Sequence, residues 1–360
     1  GYVPTPALVA PIEFTMRVED YATLGGYTQE IKSVDQLSHE RVRTVGKIEN
    51  QPDPSETSTN GRWSQYAERI LTKRRHLSLI ANVTKSQINK LENAGIKTID
   101  DIVNPTIKKV SKLNTSIFNR LKTQAELQIS SEGKPKPNFK ICPHNNLTPT
   151  GLSLLPPHSD LDIFFDIEGF PHIEGGLEYL WGATYFNTIG NREFKDFWAH
   201  DVKQEKQAFS DFVDWVFERW LKDPSMHIYH YASYEVTALR RLMGRYGIRE
   251  HKVDTLLRNE VFVDLYNVLR NGVLIGEPSY SIKNVERVYR ENRKTEVSSG
   301  VESIVFYEEW RSKPDGFTWQ SSEVLNAIRN YNIDDCNSTQ ELAEWLRKQQ
   351  VSNKIKYLKY

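Results

Sequence analysis

The part of the chain after Leu161 alternates between strand-like and helix-like patterns in an order that strongly restricts its fold. Three strand patterns come first, separated by Gly and Asn turns, and they indicate an antiparallel meander. A long amphipathic helix follows over 204–223, and after it come a strand, a helix, another strand and further helices. This alternation predicts an α/β domain in which helices flank a mixed sheet.

Composition divides the 360-residue chain, which is long enough for more than one domain, into four parts. Pro, Thr, Ser and Gly are frequent near the N-terminus, and a second segment rich in Pro and Lys precedes the α/β pattern. The chain opens with Gly and without an obvious element, so we expect a fragment of a longer protein. The predicted parts are a remnant and linker over 1–61, a small all-α domain over 62–130, a linker over 131–159 and the α/β domain over 160–350.

Short helical patterns joined by tight turns predict two helix-hairpin-helix-like units in the all-α domain. Between Lys73 and Lys140 there are fourteen Lys or Arg against five Asp or Glu, although the whole chain carries 47 of each. Such a surface is either a solvated helical face or a platform for the phosphates of DNA or RNA. The Gly-x-Gly hairpin that would favour the second interpretation is missing from "IANVTKSQ". The candidate phosphate contacts are Lys108, Lys109 and Lys112, with Lys283 from the α/β domain.

The first strand pattern, "DIFFDIEGF", carries two carboxylates in an otherwise apolar run. Asp166 and Glu168 occupy alternate positions, so both side chains face one side of the strand. Burying two unpartnered carboxylates side by side costs several kcal/mol each, roughly. A divalent cation removes this conflict, and oxygen ligands suit Mg²⁺ or Mn²⁺. The pair is therefore a candidate for half of a metal site.

Two later motifs supply the acidic residues that would complete such a site. Glu235 opens a helix directly after a strand, and Tyr331 precedes Asp335 by four residues on a predicted helix. That spacing stacks the two side chains on one helical face. Asp334 is an alternative to Asp335 that does not fit this spacing. Asp264 is a reserve ligand, whose other interpretation is a strand-end Asp bonded to backbone amides.

These motifs, and the order of strands and helices, resemble the RNase H-like domains of DEDD exonucleases in the subclass that uses Tyr. The resemblance is more specific to the YprB-type RNase H-like domain in a family of predicted RecB-like nucleases. It covers roughly Asp160 to Leu346. The segments that carry it are "FFDIEGFP", "YHYASYEVTALRRL", "FVDLYNVL", "GEPSYSIKNVE", "YEEW" and "YNIDDCNSTQELAEWL".

The resemblance, together with the spacing, implies hydrolysis of a phosphodiester bond by two divalent cations, Mg²⁺ or Mn²⁺. Asp166 would bridge both ions, Glu168 and Asp335 would complete one site, and Glu235 would support the other. Tyr331 would position the attacking water or help to deprotonate it. The family pattern usually has Asp where this chain has Glu235. A 3′-to-5′ exonuclease is expected from the resemblance, although an endonuclease would use the same metal chemistry.

The resemblance also extends upstream, to the end of an iron–sulfur nuclease domain of that family. The family's cysteines match Ser58, Gly61 and Ala67 here, so we expect neither the cluster nor that domain's activity. The two cysteines of the chain, Cys142 and Cys336, offer no disulfide framework, which favours a reducing, cytoplasmic setting. No segment has the length and apolarity of a membrane span.

Two alternatives to an active nuclease follow from the same features. The loss of the cluster cysteines is compatible with a catalytically inactive domain that binds nucleic acid and keeps the RNase H-like fold. Relatives of this family are often joined to a helicase, so a helicase is a candidate partner and a docking module is a candidate role. Whether the nucleic acid is DNA or RNA depends on contacts to the 2′-hydroxyl, which spacing does not reveal.

Overall fold

The computed structural model describes residues 2–4, 15–17, 53–55, 64–290 and 300–359. The chain forms two compact units, Gly1–Lys122 and Thr123–Tyr360. Within the described residues, no helix combines the length and the apolar character needed to cross a bilayer. Of the three positions that match cluster cysteines in the family, Ala67 is buried and the other two lie outside the described residues.

The first unit consists mainly of short helices around a small apolar core. Strand β1 (Tyr2–Pro4) pairs antiparallel with β2 (Thr15–Arg17). Thr84 and Thr98 begin the second and third helices with capping boxes, in which each side chain accepts a backbone N–H bond. The fourth helix begins in this unit and ends in the second. The helices are α1 (Ser64–Arg74), α2 (Lys85–Asn93), α3 (Ile99–Val103) and α4 (Thr115–Ser131).

Two turns in this unit repeat the same backbone feature thirty residues apart. Asn82 precedes α2 with φ of 62°, and Lys112 precedes α4 with φ of 59°. Both residues are in the left-handed region, which Gly adopts most readily. At these two positions Asn and Lys thus adopt a conformation that is more common for Gly.

The second unit contains the predicted mixed sheet and a separate pair of strands. The strands are β3 (Phe139–Ile141), β4 (Ile163–Phe170), β5 (Leu177–Phe186), β6 (Arg192–Trp198), β7 (Ile228–His230), β8 (Phe262–Asp264) and β9 (Val273–Ile275). The mixed sheet has the strand order β6-β5-β4-β7-β8. Strands β4, β5 and β6 form the antiparallel meander, and β7 and β8 are added parallel to β4. The α/β prediction is thus confirmed. The segment predicted as a linker contributes β3, which pairs with β9.

Helices cover both faces of this sheet. The helices of this unit after α4 are α5 (Val202–Lys222), α6 (Tyr234–Tyr246), α7 (Glu250–Arg258), α8 (Leu265–Gly272), α9 (Ile282–Glu286), α10 (Gly300–Ser312) and α11 (Glu323–Ser352). On one face Phe165, Trp181 and Phe212 form stacked and tilted aromatic contacts within a core shared with α5, α6 and α7. On the other face α10 and α11 pack against β4 and β5.

Candidate metal centre

Strand β4 directs its two carboxylates away from the aromatic core. Phe165 and Ile167 point into the core shared with α5, so the alternation of a strand turns Asp166 and Glu168 toward the layer of α10 and α11. The pairing register of β4 with β5 shifts directly after Glu168, at Gly169. Both acidic residues therefore lie in the regular part of the strand, with their orientation set by its pairing.

Helix α11 brings the third carboxylate to this pair. One ligand oxygen from each of Asp166, Glu168 and Asp335 lies within 4.8 Å of the other two. Tyr331, one helical turn before Asp335, donates a hydrogen bond to that carboxylate. The structure thus brings four of the five predicted site residues together. The aspartate of α11 in this group is Asp335, whereas its neighbour Asp334 lies outside it.

Two hydrogen-bond donors that the sequence analysis missed hold the carboxylates of β4. Asn332 Nδ2 donates to Asp166 Oδ2 at 2.8 Å and lies 3.5 Å from Glu168 Oε1. Ser303 Oγ, from α10, donates to Glu168 Oε2 at 2.8 Å. Tyr179 of β5 is hydrogen-bonded to the same Ser303 hydroxyl. No local pattern marks Ser303, whereas Asn332 stands beside Tyr331 in the motif that was recognised.

Burial and mutual repulsion dominate the electrostatics of the group. Desolvation, reinforced by the charge of Asp335, raises the pKa of Glu168 to about 7. Burial and the neighbouring carboxylates also raise the pKa of Tyr331, so its hydroxyl stays protonated at neutral pH. A protonated hydroxyl suits the positioning role predicted for Tyr331, which needs a hydrogen-bond donor.

Glu235 is the predicted ligand that the structure does not bring into the group. It opens α6 in a buried position, with Oε2 3.3 Å from Nδ1 of His230 at the end of β7. Burial raises the pKa of Glu235, and the imidazole opposes that rise. Its polar neighbour in this conformation is thus a histidine rather than the three carboxylates.

The reserve ligand Asp264 and the alternative Asp334 both have other partners. Asp264 accepts hydrogen bonds from the backbone N–H groups of Tyr266 and Ala232, both at 2.9 Å, and caps α8. These contacts match the interpretation of a strand-end Asp bonded to backbone amides. Asp334 accepts from Arg290 Nη2 at 2.6 Å. Neither carboxylate belongs to the acidic group.

The four predicted phosphate contacts divide between the two units. Lys283, on α9, places Nζ 5.1 Å from the centroid of the Tyr331 ring, next to the acidic group. The other three are exposed in the first unit, and one of them, Lys112, forms the left-handed turn before α4. Those three are Lys108, Lys109 and Lys112.

A cavity of about 370 Å³ begins at Gly169, the residue after Glu168. Its wall carries a polar cluster in which Tyr234 and Arg241 both bond to the carboxylate of Glu178. Ile304 lines the cavity from α10, one residue from the Ser303 that bonds Glu168. The cavity therefore adjoins the strand and the helix that position this glutamate.

Comparison with known proteins gives one match that spans the site. A sequence model of the RNase H superfamily matches residues 163–347, about half of the chain, and includes β4 and the part of α11 with Asp335. Among curated proteins, 6-hydroxynicotinate reductase of Eubacterium barkeri is 54% identical over 35 residues. That segment is 10% of this chain and 7% of the reductase, too little to carry a functional argument. No solved structure matches the chain significantly.

Proposed function

This chain belongs to the RNase H superfamily, and we propose on that premise that it is a metal-dependent nuclease acting on DNA or RNA. The observation that carries the proposal is the convergence of Asp166, Glu168 and Asp335 from β4 and α11, with their ligand oxygens within 4.8 Å of one another. Three ionised carboxylates so close repel one another, and a cation between them removes that repulsion. The superfamily match covers both elements that supply them.

The donor set fits a hard divalent cation. All three candidate ligands are carboxylates, and Mg²⁺ and Mn²⁺ prefer such oxygens over nitrogen or sulfur. Asp166, Glu168 and Asp335 would hold the ion. When bound, such an ion polarises a phosphoryl oxygen and lowers the pKa of a coordinated water.

The side chains around this centre have distinct roles in the proposed reaction. Tyr331 keeps its proton and donates a hydrogen bond at the centre, so it orients the groups there. Ser303 holds Glu168 from the side of α10. The cavity after Gly169 would receive the part of the substrate next to the scissile bond, with Arg241 at its wall.

We further propose the finer class, a 3′-to-5′ exonuclease of the DEDD type with Tyr. Support comes from the spacing of Tyr331 and Asp335 on one face of α11. The resemblance of the motifs to those of RecB-like nucleases supports the same class. The fourth carboxylate of that class would be Glu235. In this conformation it lies with His230, so its participation requires that it leave that contact.

The first unit would bind the backbone of the nucleic acid. Lys108, Lys109 and Lys112 are exposed, and the last of them forms the turn that precedes α4. Lysines at such turns contact phosphates without regard to base sequence. The proposal therefore separates a basic unit that holds the strand from an acidic unit that cleaves it.

Degradation of labelled single strands tests the proposal. DNA and RNA labelled at the 3′ or 5′ end should be shortened in Mg²⁺ or Mn²⁺ by the parent chain and not by Asp166→Ala. Asp254→Ala is the matched control, because Asp254 pairs with Arg258 on the surface of α7. Loss of a 3′ label as mononucleotides supports the exonuclease class, and internal cuts contradict it. Binding of the strands by the parent without degradation would reject the nuclease and favour the inactive module.

A further inference from the structure

Gly182 of β5 stands directly opposite Asp166 in the pairing of β5 with β4. A Cβ added at Gly182 would lie 1.6 Å from Asn332 Oδ1 and 2.7 Å from the Phe194 ring. No real side chain tolerates the first distance. The space that the glycine leaves on this face of the sheet is therefore filled by the amide of Asn332.

The amide of Asn332 is fully buried, and its two ends differ sharply. Nδ2 donates to Asp166 Oδ2 at 2.8 Å and faces Glu168 Oε1, whereas Oδ1 has no hydrogen-bond partner among the described residues. The reverse orientation would press a carbonyl oxygen against two carboxylates. A buried carbonyl without a partner is unfavourable, so satisfying the asparagine itself does not explain its position. The N–H bonds to the acidic pair do.

We infer that Asn332 is a positioning residue of the acidic centre and that Gly182 provides the space it needs. The amide fixes one oxygen of Asp166 and leaves the carboxylate in a single orientation relative to Glu168. Hydrogen bonds that orient ligating carboxylates are worth roughly 10- to 100-fold in metal affinity. This inference rests on the proposed metal centre and adds the residues that preorganise it for Mg²⁺ or Mn²⁺.

Asn337 provides a matched comparison on the same helix. Its Oδ1 accepts a hydrogen bond of 2.9 Å from Thr184 Oγ1 and links α11 to β5, as the amide of Asn332 links α11 to β4. This bond involves no carboxylate of the acidic group. Truncating either asparagine removes hydrogen bonding between α11 and the sheet, but of the two only Asn332 contacts the proposed ligands.

Manganese binding by the full chain, followed through the electron paramagnetic resonance signal of free Mn²⁺, tests the inference without any activity measurement. We expect Asn332→Ala to weaken Mn²⁺ binding about 10- to 100-fold. Asn337→Ala should change it less than about threefold, a shift too small to reflect a lost ligand contact. Equal weakening by both variants, or none by Asn332→Ala, would overturn the positioning role.

Gly182→Ala gives a second route to the same contact. The added methyl group should displace the Asn332 amide and weaken Mn²⁺ binding, whereas Gly244→Ala, with open space around its position, should not. If both effects act through one hydrogen bond, Gly182→Ala should weaken binding little further in an Asn332→Ala background. Fully additive losses would contradict the inference. If Gly182→Ala does not fold, as judged by circular dichroism, the comparison of Mn²⁺ binding by Asn332→Ala and Asn337→Ala still tests the inference.

The outcomes separate this inference from the proposed function. Parent chain that binds Mn²⁺ and responds to Asn332→Ala, yet degrades no nucleic acid, would reject the nuclease and keep the positioning role. If degradation depends on Asp166 but Asn332→Ala binds Mn²⁺ normally, the nuclease is kept and the positioning role is rejected. Absence of saturable Mn²⁺ binding by the parent would overturn the inference together with the metal centre.

Discussion

The carboxylate of Glu168 on β4 lies beside that of Asp335 on α11, and this neighbour adds to the effect of burial in raising the pKa of Glu168 to about 7. At neutral pH, the protonated and ionised forms of Glu168 are thus both well populated in the metal-free protein. A buried acid in this state links proton binding both to stability and to cation binding. Hydrogen bonds from Ser303 and Asn332 stabilise the ionised form and limit the shift.

The stability of the metal-free chain should fall as pH rises through this window. The pKa of Glu168 is about 7 in the folded chain against 4.5 when unfolded, so the folded state binds more protons between these values. Its contribution is present below pH 4.5 and lost as pH passes 7, by roughly 3 kcal/mol for a shift of this size. Urea denaturation at several pH values in a chelator measures the slope. Glu168→Gln should flatten it, and an unchanged slope in that variant would assign the effect to other groups.

Cation binding should show the opposite dependence on pH. The ion requires ionised Glu168, so Mn²⁺ affinity should rise between pH 6 and 8, and binding at pH 6 should release close to one proton. Isothermal titration in buffers of different ionisation enthalpy measures that release. Affinity and proton release that do not vary over this range would show that Glu168 is not a ligand.

Removing the charge of Asp335 should abolish most of the activity. Asp335→Asn is expected to lower kcat by roughly 10²-fold or more, as when a group that stabilises transition-state charge is lost. Asp334→Asn is the control one residue away, since Asp334 pairs with Arg290 and lies outside the group. Glu235→Gln should have a smaller effect than Asp335→Asn if the arrangement with His230 persists with substrate. An equal loss would show that Glu235 moves to the centre.

Tyr331→Phe should reduce turnover through the loss of one hydrogen bond to a carboxylate of the centre. The substitution removes a hydroxyl that donates to Asp335 and keeps the ring beside Lys283. We expect kcat to fall by about tenfold, the loss typical of one positioned hydrogen bond to a charged group. Because the hydroxyl remains protonated at neutral pH, the parent should show no rate increase from phenolate formation up to pH 9. Such an increase, absent in Tyr331→Phe, would restore the role of Tyr331 as a base.

The basic turns should control the salt dependence of binding. Replacing Lys108, Lys109 and Lys112 by Gln should weaken single-strand binding and lower the slope of log K against log salt by about 0.7 for each lost phosphate contact. Fluorescence anisotropy in about 50 to about 300 mM salt measures this slope. The same change at three exposed lysines of α5 is the control for net charge, and an equal effect there would contradict a specific platform. These control positions are Lys203, Lys206 and Lys222.

Local periodicity was enough to predict the sheet and half of the centre. The alternation in β4 predicted that Asp166 and Glu168 share a face, and the structure places Phe165 and Ile167 on the other. The spacing of four residues selected Asp335, because one turn of α11 aligns it with Tyr331.

The contacts that the sequence analysis missed all join distant parts of the chain. Ser303 reaches Glu168 across 135 residues and Asn332 reaches Asp166 across 166, distances at which no short pattern is informative. Glu235 was placed correctly at the start of a helix, yet the buried His230 lies 3.3 Å away and competes for its carboxylate. Motif spacing thus predicts the position of a residue in its helix or strand, whereas tertiary packing determines which residues its side chain contacts.

The glycine opposite Asp166 has a use in reading other sequences. The amide of Asn332 fits only beside a residue without a side chain, 150 positions earlier in the chain, so the asparagine requires the glycine. A homologue with all three acids but a bulkier residue at the position of Gly182 could not accommodate the asparagine. The sequence alone would then identify such a chain as one that lacks this preorganised centre or holds its carboxylates by other contacts.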